Sequence, residues 1–300
     1  PAYAAVLGEG GYSFQNVAAM NNKGIEFNLS WRDSKDDFSY EISFNGSLNK
    51  NRITELPEQV YYTWGCGNGD NISNVGHPLG SWLGYKTDGL FRTQAEVDEY
   101  MSRYQVQYGA PGVGRIRYAD TNGDNIIDAK DRIFMGSDQP KVIGGLNFSA
   151  NWKGFDLSLF FNGMVRQAWN NSKFYTNLWA YWSGNHSTRL LEAYDAWENY
   201  EKTGRYDSDI PALTTSGSNN ENGSSDFFVE NGSYLKLKTL TLGYTLPEKV
   251  LEKCHLRNLR VYLQAQNLFT ITSYTGADPE GLGFPYPIPR TFTFGLSVGL

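Results

Sequence analysis

Apolar and polar residues alternate one by one along several separate stretches of the chain. From Ile25, apolar Ile25, Phe27, Leu29 and Trp31 are interleaved with Glu26, Asn28, Ser30 and Arg32. After a polar turn at Asp33–Asp37, Phe38, Tyr40, Ile42, Phe44 and Leu48 face Ser39, Glu41, Ser43, Asn45 and Ser47. The pattern is cleanest from Lys141 to Gly163. There Leu146, Phe148, Ala150 and Trp152 alternate with Asn147, Ser149 and Asn151. Beyond Lys153-Gly154, Phe155, Leu157, Leu159 and Phe161 alternate with Asp156, Ser158 and Asn162, and Phe160 is the one apolar residue on the polar parity. Period-2 alternation in two arms joined by a tight turn predicts a β-hairpin. Such a hairpin suits either a soluble antiparallel sheet wetted on one face or a membrane barrel, whose strands need roughly 9–11 residues per crossing.

Alternation returns at Leu240, Leu242, Tyr244 and Leu246, then at Leu259, Val261, Leu263 and Ala265, and finally at Phe292, Phe294, Leu296 and Val298. Between Leu235 and Lys238 the phase slips by one, as a β-bulge would cause. The prediction is seven strands, near 23–32, 38–49, 141–152, 154–163, 233–246, 258–270 and 290–300. Long connections at 50–140, 164–231 and 271–289 alternate with short ones. Helices are expected from Gln94 to Tyr104 and from Ser187, where Leu190, Leu191, Tyr194 and Trp197 recur at helical spacing.

Short turns alternating with long loops are the connection rule of outer-membrane barrels, with the long loops outside the cell. The expected fold is therefore all-β, a transmembrane antiparallel β-barrel. A soluble extracellular carbohydrate-binding β-sandwich is the alternative. Seven strands cannot close a single-chain bacterial barrel, which has an even number, and open edges have no hydrogen-bond partner in lipid. The remaining strands must then lie outside this sequence. Pro1 to Gly10 has neither a basic region nor an apolar core, and the chain opens in mid-pattern, so a segment of a longer protein is expected.

Composition adds limits. The mean hydropathy of −0.49 and the absence of any run approaching ~18 apolar residues exclude a transmembrane helix. The formal net charge of −6 argues against nucleic-acid binding. Cys66 and Cys254 make no metal-ligand pattern. The three histidines fall in separate connections, so neither a catalytic triad nor a zinc site is expected and the chain reads as no enzyme.

Two sets of residues carry candidate chemistry. Asp120, Asn122, Asp124, Ile126 (through its carbonyl), Asp128 and Asp131 have the spacing of a twelve-residue calcium loop, which makes Ca2+ the candidate cofactor. Position six is Asn125 rather than Gly, and Asn tolerates the left-handed turn required there. In the second long loop, Trp179 and Trp182 are candidates for stacking on sugar rings.

Several motifs together resemble the SusC/RagA-type TonB-dependent outer-membrane transporters. They are Lys23-Gly24-Ile25-Glu26, Asn49-Lys50-Asn51, Gly84 to Phe91, Tyr118 to Asp124, Tyr234 to Lys238 with Leu242 to Pro247, Gln266 to Thr270, and Tyr274 to Glu280. The order matches from residue 23 to the end. The resemblance implies a plugged barrel of 22 strands, to which this chain would contribute the last seven as a C-terminal portion without the plug. It further implies import of oligosaccharides, glycans or peptides. The implied partners are a SusD-like surface lipoprotein, the TonB complex reached through the absent N-terminal part, and membrane lipid. The implied location is the bacterial outer membrane.

Overall fold

A computed structural model describes residues 18–57, 60–63, 70–170, 173, 188–214, 223–254, 256–281 and 288–299. Seven long strands form one sheet: β1 (Ala19–Lys35), β2 (Phe38–Glu55), β3 (Val142–Trp152), β4 (Phe155–Val165), β5 (Tyr234–Thr245), β6 (Asn258–Thr272) and β7 (Thr291–Gly299). Their order in space is their order in the chain, and every pairing is antiparallel.

The turns explain the registers. β3 and β4 are joined by Lys153 (φ 48°) and Gly154 (φ 87°), and two successive positive φ values give the turn whose twist matches the flanking strands. A Cβ on Gly154 would lie 2.7 Å from the Thr245 carbonyl oxygen, so glycine alone fits. The first turn is tighter than the expected Asp33–Asp37. Asp33, Ser34 and Lys35 pair with Tyr40, Ser39 and Phe38, leaving Asp36 and Asp37 as the tip. At their other ends β1 and β2 run on to 17 and 18 residues. The extra residues are mainly polar, so periodicity alone understated these strands. The phase slip in β5 is a bulge, with breaks in register at Phe160/Phe161 against β4 and at Leu237/Thr239 against β6.

Strand pairing aligns the two parities across the whole sheet. One face carries cross-strand rows such as Leu29, Phe44, Leu146, Phe161, Leu237 and Phe269. Large apolar side chains on this face lie open: Leu29 is 65% exposed, Phe294 76% and Ile42 38%. A sandwich would bury that face beneath a second sheet about 10 Å away; among the described residues none covers it. Trp31, Phe38, Trp152 and Phe155 ring its short-turn end, as an aromatic belt at a membrane interface does.

The opposite face is polar. Ser30 and Ser43 hydrogen-bond at 2.8 Å, and Arg32 meets Glu41 at 2.5 Å. Arg260 reaches over β5 to Asp156 with bonds of 2.8 and 2.5 Å. The strand between them presents Gly243, where a Cβ would stand 2.3 Å from Asp156 Oδ1. No helix of the described residues is long and apolar enough to cross a membrane.

The two long connections build a second region, a cap. Its core joins Tyr85, Leu90, Phe91, Val97, Tyr100, Ile116, Tyr118 and Ile127 of the first connection to Ala196, Tyr206 and Ala212 of the second. Helix α1 (Gln94–Arg103) starts where the Thr93 hydroxyl accepts from Glu96 N at 3.3 Å, and it buries Val97 and Tyr100. Helix α2 (Leu190–Thr203) ends at Gly204 in the left-handed conformation. Its buried face is Leu190, Ala193 and Ala196, whereas Leu191, Tyr194 and Trp197 are exposed. The expected N-cap Ser187 lies outside the described residues.

Candidate functional site

The polar face of the wall leads up to the long-connection end, where three connections meet. The pieces are held by charge. Lys236 on β5 is buried, its side chain 4% exposed, and it donates to Asp278 Oδ1 and Oδ2 (2.7 and 2.9 Å) and to Glu280 Oε2 (3.0 Å). Lys238, carried in the bulge, donates to both Glu280 oxygens at 2.7 and 2.5 Å. Two residues apart on one strand, the two lysines share a face and so approach the same carboxylate.

Further ties hold the same loop. The Arg166 guanidinium, just past β4, donates to the carbonyls of Pro279 and Glu280. Glu230 accepts from Thr275 N (2.9 Å) and Thr275 Oγ1 (2.8 Å) and pairs with Lys173 at 2.8 Å. Asn170 Nδ2 donates to Thr275 Oγ1 at 2.9 Å. Beneath these, Trp169 packs on Phe228 and Trp82, with ring centroids 5.2 and 6.0 Å apart. Trp169 thus serves the cap core.

These carboxyls are held ionised. Burial opposes the charge on Asp278, but the Lys236 ammonium and the Glu280 and Gly281 N–H groups outweigh it and bring the carboxyl below its usual range. Glu280 is lowered against the same desolvation by Lys238 and Lys236. Glu230 is lowered against it by Lys173 and Thr275. Burial pushes the Tyr274 hydroxyl up to about 12. Such an arrangement fixes a loop and sets a field; it presents no activated nucleophile.

The candidate calcium loop closes on its own backbone. Asp120 accepts from Gly123 N (2.6 Å) and Asn125 N (2.9 Å), and Asn125 takes the left-handed conformation its position needs (φ 60°). Desolvation would raise the Asp120 carboxyl, but the N–H groups of Asn125, Gly123, Asp124 and Asn122 together lower it. Asn122 Oδ1 accepts from Asp124 N, and Asp124 Oδ1 from Ile126 N, at 2.8 and 2.9 Å. Asp128 caps Lys130 N at 2.7 Å. Asp131 is fully buried and ties the loop's ends together, accepting from Thr121 N (2.8 Å) and Asp128 N (2.9 Å). Asp131 therefore braces the loop. Among the described residues no three His, Cys, Asp or Glu side chains converge as a metal-holding group.

Trp179 and Trp182 lie outside the described residues. The clamp on Lys236 and Lys238 has no signature in periodicity: both lysines read only as a slipped phase, and their partners stand 42 residues away. The one signal that could have found them was the acidic ending of the Tyr274–Glu280 motif, which needs cationic partners.

An antiparallel meander with an apolar outer face, a polar inner face and its long loops at one end defines a segment of a transmembrane β-barrel wall. The chain is 30% identical over 321 residues to TonB-dependent receptor P3 of Formosa agariphila, covering 99% of this chain and 30% of that receptor. It is 30% identical to the TonB-dependent receptor SusC of Bacteroides thetaiotaomicron over 296 residues, 95% of this chain and 27% of that protein. The RagAB peptide importer in its open-open state superposes with a TM-score of 0.70 at 24% identity, over 100% of this chain and 31% of that one. No protein-family model matches. The chain belongs to the SusC/RagA-type TonB-dependent outer-membrane transporters, matching a C-terminal-like portion of such a barrel. It spans about three-tenths of the length of these relatives.

Proposed function

We propose that this chain forms wall and mouth of a TonB-driven outer-membrane importer of oligosaccharides, glycans or peptides, working with a SusD-like surface lipoprotein. The observation that carries the reading is the division of labour in the fold. One face of the sheet is apolar and open for lipid, the other is polar for an aqueous lumen, and the ordered cap stands at one end. In this reading the long connections face outward and the short turns face the periplasm. The chain's part is non-catalytic. One solved neighbour is named a peptide importer, and two relatives carry the TonB-dependent name.

The test is uptake by cells expressing the full-length protein that contains this chain. Labelled oligopeptides and oligosaccharides should accumulate only when that protein and TonB are both present. Accumulation that persists on TonB depletion would overturn the reading. Trp179 and Trp182 are proposed as sugar-stacking residues on composition alone. Replacing both by Ala should weaken glycan retention at least tenfold and leave peptide uptake unchanged.

We further propose calcium at the 120–131 loop, held by Asp120, Asn122, Asp124 and the Ile126 carbonyl. Asp128 would add a ligand at position nine, and Asp131 would keep its bracing bonds. The left-handed Asn125 and the ionised Asp120 support this reading. A melting temperature unchanged by chelator would defeat it.

A further inference from the structure

The outward face of the wall changes character at the long-connection end of β1 and β2. Ile25 pairs with Leu48, and one step further along the same face Lys23 pairs directly with Lys50. Arg52 follows on that parity, opposite Asn21. All three cations are exposed. Like charges directly opposite on adjacent strands repel, and none of the three makes an ion pair among the described residues. They line one open cleft of about 680 Å³ whose lining also includes Ile25 and Leu48.

Below the cleft the outer face is grooved. Gly144 and Gly163 pair across β3 and β4. They line a channel of about 460 Å³ between the row Phe44, Leu146, Phe161 and the pair Val142, Val165. Val142 pairs with Leu48, so the channel opens directly beneath the cations.

We propose that this surface binds a phosphate-bearing lipid of the outer leaflet, its headgroup between Lys23, Lys50 and Arg52 and an acyl chain in the glycine-lined groove. Charge complementarity selects the headgroup, because three neighbouring cations without an ion-pair partner among the described residues favour an anion between them. Continuity with the apolar wall selects a lipid over a free anion, since an occupant of both spaces must be anionic at one end and apolar at the other. Basic residues at a membrane surface attract anionic lipid by the same electrostatics. Strand pairing lies in the plane of the sheet, so these outward side chains take no part in it.

The inference rests on the wall being in a membrane, as proposed above, and it is tested separately from uptake. The full-length transporter is purified in neutral detergent and delipidated. It is then offered phosphatidylglycerol or phosphatidylcholine at equal mole fraction, or inorganic phosphate alone, and bound molecules are counted by native mass spectrometry. We expect phosphatidylglycerol to be retained at least tenfold better than phosphatidylcholine, and phosphate alone not to be retained. Lys23→Glu with Lys50→Glu and Arg52→Glu should abolish the preference. Lys23→Arg with Lys50→Arg should keep it, as should Lys35→Glu at the opposite end of β1. Should the triple variant fail to fold, as judged by heat-modifiable gel mobility, Lys50→Gln alone should cut the preference measurably. Equal retention of the two lipids, or an unchanged preference in the charge-reversed protein, overturns the proposal. Phosphate bound as tightly as the lipid also overturns it, by reducing the surface to an anion site.

Discussion

The wall and the cap obey opposite rules within one chain. In the wall the bulky apolar residues point away from the protein: Leu29, Ile25 and Phe294 lie open. In the cap they point inward, and Phe91, Ile127, Tyr206 and Phe228 are almost fully buried. The polar residues invert with them, lining the inner face of the wall and the outer surface of the cap. The chemistry of burial is the same in both. What differs is the surrounding medium, lipid for one and water for the other, and the sequence encodes this as period-2 alternation in the wall and as irregular aromatic clusters in the cap.

Core truncation should separate the two most sharply. Phe91→Ala, which removes a ring packed edge-on against Tyr100 at 5.0 Å, should cost the cap about 4 kcal/mol. Hydrogen exchange should rise across residues 85–127 and 190–212 and leave β3 and β4 unchanged. Equal loosening of both regions would show that they are one cooperative unit. Leu29→Arg tests the wall from its other side, with an expected cost of about 3 kcal/mol in refolding titrations into lipid vesicles. Ser43→Arg, on the polar parity, should be nearly neutral. Equal effects would remove the lipid from the comparison.

The clamp joins the two regions, and breaking it should have an intermediate effect. Asp278→Ala leaves Lys236 with Glu280 alone and should cost about 2 kcal/mol, below the range for a pair broken outright. Acid should act likewise. Asp278 and Glu280 have carboxyls held below their ordinary 3.8 and 4.5. Their contribution is therefore complete above those values and is lost as pH falls through the lowered ones. Protection of residues 274–281, taken relative to the intrinsic exchange rate at each pH, should fall below about pH 4 and be flat from 6 to 8. The smallest effect is Thr93→Ala, about 1 kcal/mol at the start of α1, visible as fraying of that helix in exchange measurements.

The wall was legible because its signal is local. Residues 141–163 alone specify two strands, their turn and their faces, and the slipped phase at Leu235–Lys238 announced a bulge. The cap was not legible, since its contacts join two connections separated by a hairpin. In α2 the recurring Leu190, Leu191, Tyr194 and Trp197 marked the helix, yet of these only Leu190 is buried, and the core continues through Ala193 and Ala196, where small side chains admit close approach. At the 120–131 loop the spacing correctly called for a left-handed residue at Asn125. It gave no sign that Asp131 would turn inward as a brace. For the clamp, two lysines and two acids in different loops look like ordinary surface charge until the fold brings them together.

The shared cap core has a consequence for the order of assembly. Arg92 N–H groups meet the carbonyls of Tyr206 and Ser208 across 114 and 116 residues of chain, with the whole β3–β4 hairpin between them. That hairpin needs only its own two-residue turn and can zip early. The cap must wait for both connections to be delivered to the same side, and closing so long a loop carries an entropic cost that the nearby contacts cannot offset beforehand. Cap closure is thus a late report that the wall beneath it has been threaded correctly, and a strand misplaced between the two connections would leave Phe91 and Tyr206 without each other.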